Sequence, residues 1–290
     1  MSNYFEYLTS GAADKEWGLY LTTVGKYHAL PHEPYPSKSH PNGYYFEWKQ
    51  GRFLNEFQLN YITEGHGIMQ TRAGEFPIKP GSLIIMRPGI LHRYKPNSKT
   101  GWTENYIGFN GNLAPHFVQQ VFEDPDIPVI KIGHHVEVLD SFQKIIDLVK
   151  EQKPAYHQVA SGLIIKALGY ISTYIKTQNI GNEDVDKLIH LAKAYMWENV
   201  TREIDLHTFS KDQRVSYSYF RKTFKMYTGI APHQFFLELK MMRAKELIVS
   251  SDMSIKEITY QLGFDSIYYF SRLFKKKMGL SPTDLRKMNL

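Results

Sequence analysis

The sequence predicts a two-domain protein: an N-terminal all-β barrel that carries a helical hairpin, followed by a C-terminal all-α domain. Near Val136 the apolar residues change from strand-like alternation to the three-and-four spacing of helices. In the last hundred residues, landmark residues recur 50 positions apart. A length of 290 residues is enough for two domains. We therefore expect a first domain at 1–176, with the hairpin at about 136–176, a linker at 177–184 and a second domain at 185–290.

The composition narrows the class of protein. With no cysteine, disulfide scaffolds and cysteine-ligated metal sites are excluded. The first residues show no signal peptide, and no run of about 18 apolar residues occurs, so we expect a cytoplasmic protein without membrane contact. Of the net charge of +6, residues 182–290 carry +5, with 18 Lys and Arg against 13 Asp and Glu. A basic C-terminal third favours a polyanionic partner such as nucleic acid.

Short strands with frequent turns predict an antiparallel barrel or sandwich for residues 1 to about 133. Gly65–Gly67, Pro80–Gly81 and Pro88–Gly89 are typical turn sequences that separate the apolar segments. The predicted strands are Phe57–Ile62, Ile68–Arg72, Leu83–Met86 and Trp102–Phe109.

Two amphipathic helices follow the predicted strands. One begins near Val136, Pro154 interrupts the pattern, and a second runs from about Tyr156 to Lys176. Their adjacency predicts an antiparallel hairpin. Its apolar faces either cover the barrel alone or also form the seam of a dimer, and the sequence leaves both alternatives open.

The C-terminal hundred residues contain an internal repeat of one helical unit. In each copy a serine precedes a helix and caps its first turn, and two phenylalanines follow at i and i+4, where both face one core. The paired landmarks are Ser216 and Ser266, Phe220 and Phe270, Phe224 and Phe274, Gly229 and Gly279, and Pro232 and Pro282.

The outer face of each unit is polar and basic, which suits the major groove of DNA. Between the copies, Pro232–Ser250 predicts one long helix that holds the two units at a fixed separation. Successive major grooves on one side of a duplex lie roughly 34 Å apart, so a rigid connector lets one monomer enter both. We expect the inner face of this helix to contain Phe236, Leu239, Met242, Leu247 and Ile248.

These residues closely resemble the AraC/XylS family of bacterial transcription regulators, which carry two helix-turn-helix units. The first copy departs from the family pattern, because Ser210 stands where Ala is usual and Arg214 stands near a turn where Gly is common. The second unit and the connecting helix carry the resemblance in Arg243-Ala244-Lys245, Ile255-Lys-Glu-Ile258, Gly263-Phe264, Ser266, Tyr269-Phe270-Ser271-Arg272, Phe274-Lys275, Gly279, Ser281-Pro282 and Arg286.

By this resemblance, the residues that face the groove can be assigned. An arginine can bond bidentately to guanine O6 and N7, while lysines further along each helix suit phosphates. The predicted base-reading residues are Ser218, Arg221 and Lys222 in the first unit and Tyr268, Ser271 and Arg272 in the second. The predicted phosphate contacts are Lys225 and Lys275.

The N-terminal region resembles the family's cupin-like sensing domain, most clearly in Tyr61–Gly67, Pro80–Leu83 and His92–Tyr94. The resemblance implies an effector pocket inside the barrel, a hairpin that dimerises and a mobile N-terminal arm. Metal-binding cupins use a His-x-His pair with a carboxylate and a later His, and this set is missing, so we expect no metal and no cofactor. The pocket candidates, by resemblance to sugar-sensing members, are Arg52, His92, Tyr94, Trp102, Glu104 and Tyr106.

Two of these pocket assignments have alternatives. The aromatic side chains also suit an ordinary barrel core, and a lone His92 also suits a structural, hydrogen-bonded role. Arg52 is the strongest candidate, because a buried arginine needs a partner.

The sequence thus predicts a ligand-responsive regulator that binds double-stranded promoter DNA as a homodimer and is not an enzyme. We expect the small-molecule effector to be a sugar. By resemblance to the family, we expect the protein to act as an activator, for which RNA polymerase is a possible further partner. Two alternatives stay open: a cupin enzyme with a DNA-binding tail, and a constitutive DNA-binding protein whose barrel is only a dimerisation scaffold.

Overall fold

The computed structural model describes residues 3–37, 44–178 and 183–288, which form two compact units that divide between Thr177 and Gln178. No described helix is long and apolar enough to cross a membrane. One helix continues to Thr177 and the next begins at Glu183, so both ends of the predicted linker are helical. Acidic residues are favourable at helix N-termini, which is why a polar segment can start a helix here. Residues 179–182 of the predicted linker lie outside the described residues.

The N-terminal unit is built from two antiparallel sheets, which confirms the predicted β-rich, cupin-like domain. The larger sheet has the order β1-β2-β8-β3-β6-β9 and the smaller has the order β5-β4-β7. The strands are β1 Tyr4–Tyr7, β2 Tyr20–Ala29, β3 Phe57–Gly65, β4 Gly67–Thr71, β5 Gly74–Ile78, β6 Ser82–Met86, β7 Arg93–Pro96, β8 Trp102–Asn110 and β9 Val129–Lys131.

The central strands β3, β6 and β8 of the larger sheet are buried on both faces, because their side chains alternate between two cores. In β3, Leu59 and Tyr61 face one core, which the helices cover, while Ile62 packs between the two sheets. The irregularity between Ile62 and Glu64 in the pairing of β3 with β8 marks a bulge near the end of the strand. The core between the sheets is the interior in which the predicted pocket residues lie.

The described helices of the N-terminal unit are α1 Ala12–Glu16, α2 Ala114–Val121, α3 Val136–Glu151 and α4 Tyr156–Thr177. Helices α3 and α4 form the predicted hairpin, whereas α1 and α2 were not predicted from the sequence. Helix α2 forms because Ala114 and Val118 bury one face in the core beneath the α3–α4 hairpin. Tyr4–Tyr7 of the expected N-terminal arm pair with β2 as the edge strand β1, and the mobility of the arm stays a prediction.

The C-terminal unit is entirely helical within its described residues, and it contains the predicted pair of helix-turn-helix units. Its helices are α5 Glu183–Glu198, α6 Leu206–Asp212, α7 Tyr217–Thr228, α8 Pro232–Ser250, α9 Ile255–Gln261, α10 Ile267–Met278 and α11 Pro282–Lys287. Ser216 accepts a hydrogen bond from the Tyr219 amide, and Ser266 accepts one from the Tyr269 amide, so both predicted caps are present.

Helix α8 contributes side chains to two separate cores, and one of its predicted inner-face residues is wrong. Phe236 and Leu239 pack in the core of the first helix-turn-helix unit, whereas Met241 and Ala244 pack in the core of the second. Met242, predicted to be buried, is 51% exposed. The buried face changes sides along the helix, so one hydrophobic stripe extended from Phe236 predicts that Met242 is buried, whereas the buried residue is Met241.

Arg214 lies at a turn position whose backbone conformation favours glycine. Its φ of +59° lies in the left-handed region, as does the +68° of Gly263 in the turn of the second unit. The next residues bond alike: the Val215 amide donates to Ser210 O and the Phe264 amide to Thr259 O. A residue with a Cβ in the left-handed region is unfavourable by roughly 1–2 kcal/mol, so the first helix-turn-helix unit keeps this turn with a lower stability than glycine would give.

Candidate functional site

Arg52 is the centre of a buried polar cluster inside the barrel. It is 9% exposed and donates to the Tyr94 hydroxyl at 2.7 Å, to His92 Nε2 at 3.3 Å and to Gln58 Oε1 at 3.4 Å. It also donates to the carbonyl oxygen of Tyr44. All these acceptors are neutral, and among the described residues no carboxylate forms an ion pair with Arg52. The cluster therefore holds a cation with no directly paired anion.

His92 uses both of its ring nitrogens within the protein. Nδ1 is 2.8 Å from the carbonyl oxygen of Ile90, which can only accept, so Nδ1 donates and Nε2 accepts from Arg52. Burial, and then the positive charge of Arg52, lower the pKa of His92 to about 4, which keeps the ring neutral. In this structure His92 orients Arg52, which is the structural role that the sequence left open for it.

Glu104 is the second charged element of the cluster. Its carboxylate accepts a hydrogen bond from the Tyr35 hydroxyl at 2.8 Å and one from Asn60 Nδ2 at 3.1 Å. Burial raises the pKa of Glu104 to about 7, against the opposing effect of these two bonds and of Arg52. Near pH 7 this carboxyl exists in both protonation states, so it can either accept or donate a hydrogen bond.

Two tyrosines from the segment between β2 and β3 fill most of the space beside Arg52. Tyr35 donates to Glu104, and Tyr44 donates to Glu56 at 3.0 Å. The cavity that both tyrosines line has a volume of about 20 Å³, which is room for a single water molecule. A larger ligand therefore enters only if these side chains move.

One hydroxyl in the same cavity has no partner. The Tyr106 hydroxyl is fully buried and makes no hydrogen bond within the described protein. Burial raises the pKa of Tyr106, so the group remains a phenol that can donate. Buried polar groups are satisfied in most proteins, and an exception indicates that a water or a ligand supplies the missing bond.

The structure brings all six predicted pocket residues into or against this cluster. Tyr94 and Trp102 stack with ring centroids 6.0 Å apart, and Tyr106 and Glu104 line the cavity. Their roles in binding stay predictions. The sequence analysis missed Gln58 and Asn60, although polar residues at alternate positions of an otherwise apolar strand were a usable signal. Tyr7, Tyr35 and Tyr44 also line the cavity, and their place there depends on tertiary structure. Glu56 lies next to them, as the acceptor of the Tyr44 hydroxyl.

The raised pKa of Glu104 predicts a pH-dependent difference between the protein and its Glu104→Gln variant. The folded state binds this proton more tightly than the unfolded state, so Glu104 stabilises at low pH and that contribution is lost as pH rises from 4.5 to about 7. We expect the variant to gain up to about 3 kcal/mol relative to the parent across that range. The opposite titration of His92 is shared by both chains and cancels.

Tryptophan fluorescence during urea unfolding measures this difference. In a Trp197→Phe background the remaining tryptophans, Trp17, Trp48 and Trp102, all report on the sensing domain. Two stability curves that stay parallel between pH 4.5 and pH 8 would show that the Glu104 pKa is not raised.

The two recognition helices, α7 and α10, present the predicted DNA-binding residues on their outer faces. Arg221, Lys222 and Arg272 are exposed, and Tyr268 is 90% exposed in the first turn of α10. Their inner faces are fixed by the four fully buried phenylalanines of the repeat. Ser218, Lys225 and Lys275 are also exposed, and Ser271 is half-buried.

The basic groups on these faces are free to meet phosphates and bases. No ion pair within the described chain involves Arg221, Lys222, Lys225, Arg272 or Lys275. Lys277 differs, because it lies 3.0 Å from Glu238 of α8 and ties α10 to the connector. Unpaired cations on two exposed helices form the electrostatic surface that a DNA duplex attracts. The individual contacts stay predictions.

Comparison with known proteins identifies both domains. Residues 35–168 match the family described as "AraC-like ligand binding domain", and residues 210–288 match the one described as "Helix-turn-helix domain". The MmsAB operon regulatory protein of Pseudomonas aeruginosa is 28% identical over 90% of this chain and 85% of its own length. The lactose operon transcription activator of Staphylococcus xylosus is 20% identical over 79% and 82% of the two chains. The arabinose operon regulatory protein of Escherichia coli is 24% identical over 80% and 81%.

A ligand-binding β domain followed by two helix-turn-helix units defines a DNA-binding transcription regulator with a small-molecule effector. The chain belongs to the AraC family of transcription regulators, which confirms the resemblance found in its sequence.

Proposed function

We propose that this regulator activates transcription when a saccharide binds inside its barrel, and that it works as a homodimer in the bacterial cytoplasm, where its promoter DNA lies. In this proposal the barrel binds its ligand without converting it, and activation involves contact with RNA polymerase. Two of the relatives described above are named after the lactose and arabinose operons, and one of them is named an activator, which supports these assignments.

The observation that carries the saccharide proposal is the buried cluster of Arg52, Glu104 and the unpartnered Tyr106 hydroxyl. A saccharide presents many hydroxyl groups, each of which can donate and accept, beside apolar C–H faces that stack on aromatic rings. The cluster offers a cation, a carboxyl and a phenol for the hydroxyls and the Trp102 ring for stacking. The phenol groups of Tyr35 and Tyr44, which bond Glu104 and Glu56, occupy places that ligand hydroxyls would take.

A thermal-shift screen of the full chain against mono- and disaccharides tests the proposal. A ligand that binds only the folded state at a concentration of 100 times its Kd stabilises that state by about 2.7 kcal/mol, which a melting curve resolves easily. We expect one or a few sugars to shift the melting of the sensing domain. The absence of a shift with any saccharide would refute the sugar assignment.

A second function has a specific observation in its favour. The interior is nearly filled, with only about 20 Å³ of cavity, as expected for a barrel that serves as a dimerisation scaffold in a constitutive DNA-binding protein. The same screen decides between the two: no stabilisation by any saccharide, together with unchanged DNA binding, would favour the scaffold.

The outer face of helix α4 supports the homodimer. Val159 is 53% exposed and Tyr170 is 39% exposed, and these residues are three helical turns apart on one face. We expect the double substitution Val159→Glu and Tyr170→Glu to convert a dimer into a monomer, because two buried charges oppose each other across the seam. Light scattering at micromolar concentration measures the change as a halved molar mass.

Ile165 provides the matched control for the dimer test. It is also 39% exposed on α4 but lies on a different side of the helix, so Ile165→Glu should leave the mass unchanged. An unaltered chain that is monomeric under the same conditions would contradict the homodimer.

A further inference from the structure

The connecting helix α8 contains a buried lysine where the two helix-turn-helix units meet. Lys240 is 5% exposed, and its Nζ donates a hydrogen bond of 2.7 Å to the carbonyl of Leu262, the C-cap residue of helix α9. A buried ammonium group is unfavourable unless partners compensate for its lost hydration. A lysine at this buried position therefore needs a physical explanation, whereas an apolar residue of the same length would not need one.

The aromatic rings beside Lys240 belong to different cores. Phe236 packs in the core of the first unit and Phe264 packs in the core of the second. The Lys240 Nζ lies 4.9 Å from the ring centroid of Phe236 and 5.3 Å from that of Phe264. Attraction between a cation and a ring face strengthens when both are desolvated. One ammonium group thus contacts the two units at the same time.

The backbone around Lys240 connects it to the turn that leads into the second recognition helix. Gly263, with a φ of +68°, forms this turn, and a Cβ built there would lie 3.2 Å from Lys240 Nζ. The same Cβ would lie 3.6 Å from the carbonyl oxygen of Thr201, in the loop between α5 and α6 of the first unit. The lysine, the turn and the loop are therefore in close contact.

Two opposing effects act on the charge of Lys240. Burial lowers the pKa of Lys240, and the negative charge of Glu203, from the first unit's loop, opposes this shift. Glu203 and Lys240 line one cleft of about 460 Å³ between the units, with Asp265 opposite in the second unit. The junction is thus polar and partly open, unlike the two dry cores on either side of it.

We propose that Lys240 is a positioning residue that fixes the second recognition helix relative to the first, so that one monomer accepts only one separation between the two DNA segments that it reads. This rests on the proposed reading of DNA by both units. Without the ammonium group, the Leu262 carbonyl and the Gly263 turn lose the bond that ties them to α8. The equilibrium between docked and loosened units should then shift about tenfold or more.

A distance measurement between the recognition helices tests the proposal without DNA. Since the chain has no cysteine, Lys225→Cys and Lys276→Cys, both at exposed positions, place two spin labels at defined sites. We expect electron–electron double resonance to give a narrow distance distribution in this otherwise unaltered full chain and a broad one after Lys240→Met. A distribution that stays narrow in the Lys240→Met variant would overturn the proposal.

Two further variants separate positioning from simple loss of stability. Lys240→Arg keeps a cation and a donor, and it should keep the distribution narrow. Leu247→Ala opens a cavity in the second core, where Leu247 is buried, but leaves the junction intact. We expect it to lower the melting temperature at least as much as Lys240→Met while the distance stays narrow. If the distance distribution broadened equally in Leu247→Ala and Lys240→Met, Lys240 would contribute only to stability and the positioning role would be contradicted.

The spacing of DNA segments gives the functional measurement. Footprinting on the chain's own upstream region locates the two protected segments, and one base pair is then inserted between them. We expect the unaltered chain to lose about tenfold or more in affinity on insertion, and Lys240→Met to lose much less. Equal losses would contradict the proposal. If the unaltered chain fails to bind any fragment specifically, the proposed DNA recognition fails, and the distance experiment still decides the role of Lys240.

Discussion

Replacing both Arg221 and Arg272 by alanine is expected to abolish the preference of this protein for its own promoter. Each arginine is exposed on a recognition helix and has no ion-pair partner within the described chain. A bidentate contact with guanine is worth about 1–3 kcal/mol of discrimination, and two separated contacts add. Together they should lower specific affinity by about 30-fold or more, with little change on random fragments. Competition gel shifts at fixed salt measure both affinities.

Lys225→Ala with Lys275→Ala is the matched control for this experiment. These lysines are placed to meet phosphates, which contribute affinity without sequence information. The control should weaken binding to all fragments alike and lower the slope of log affinity against log salt by about 0.9 per lost contact. If the arginine variant also weakened all fragments equally, the arginines would be phosphate contacts and the base-reading assignment would fail.

Arg52→Ala is expected to remove the effector response while DNA binding persists. Arg52 lines the barrel cavity and holds the hydroxyl of Tyr94 and the ring of His92 in place. A hydrogen bond from a charged group contributes about 1.5–3 kcal/mol, so effector affinity should fall about 10- to 100-fold. Melting shifts with the best saccharide from the screen, and a promoter fusion assayed in cells, measure the loss.

Loss of the response must be separated from loss of folding. Arg87→Ala supplies the comparison. Arg87 is half-buried and, like Arg52, donates to a backbone carbonyl, that of Phe122 at 3.0 Å, but it lies outside the Arg52 cavity. We expect this variant to be destabilised and to keep its melting shift with the saccharide. A saccharide that binds the Arg52→Ala variant as tightly as the parent would remove Arg52 from the site.

The helical half shows how far local rules reach. The bounds of α7 and α10 follow from a serine at one end, a glycine at the other and two phenylalanines on the inner face, all within a few residues of each other. The one inner-face error, Met242, arose because α8 packs against two cores, which a single hydrophobic stripe cannot describe.

The barrel half shows where local rules end. Arg52 lies outside strands β3 and β8, in an isolated bridge with His92. Asn60 and Glu104 are 44 positions apart in sequence and meet because β3 pairs with β8 in one register, with Asn60 opposite Tyr106 and Ile62 opposite Glu104. A slip of one residue would turn these side chains to the opposite face. Tyr35 and Tyr44, which fill the cavity, come from a segment that carries no strand pattern at all.

The sequence by itself determined the two domains, the duplicated helix-turn-helix unit and the outer face of each recognition helix, because caps, glycine turns and helical periodicity act between near neighbours. Only the tertiary structure decided which polar groups share the barrel cavity, that this cavity is nearly filled, and that Lys240 lies between two cores. The physical reason is that burial and hydrogen bonding of these groups depend on contacts between distant strands and helices, which no local pattern encodes.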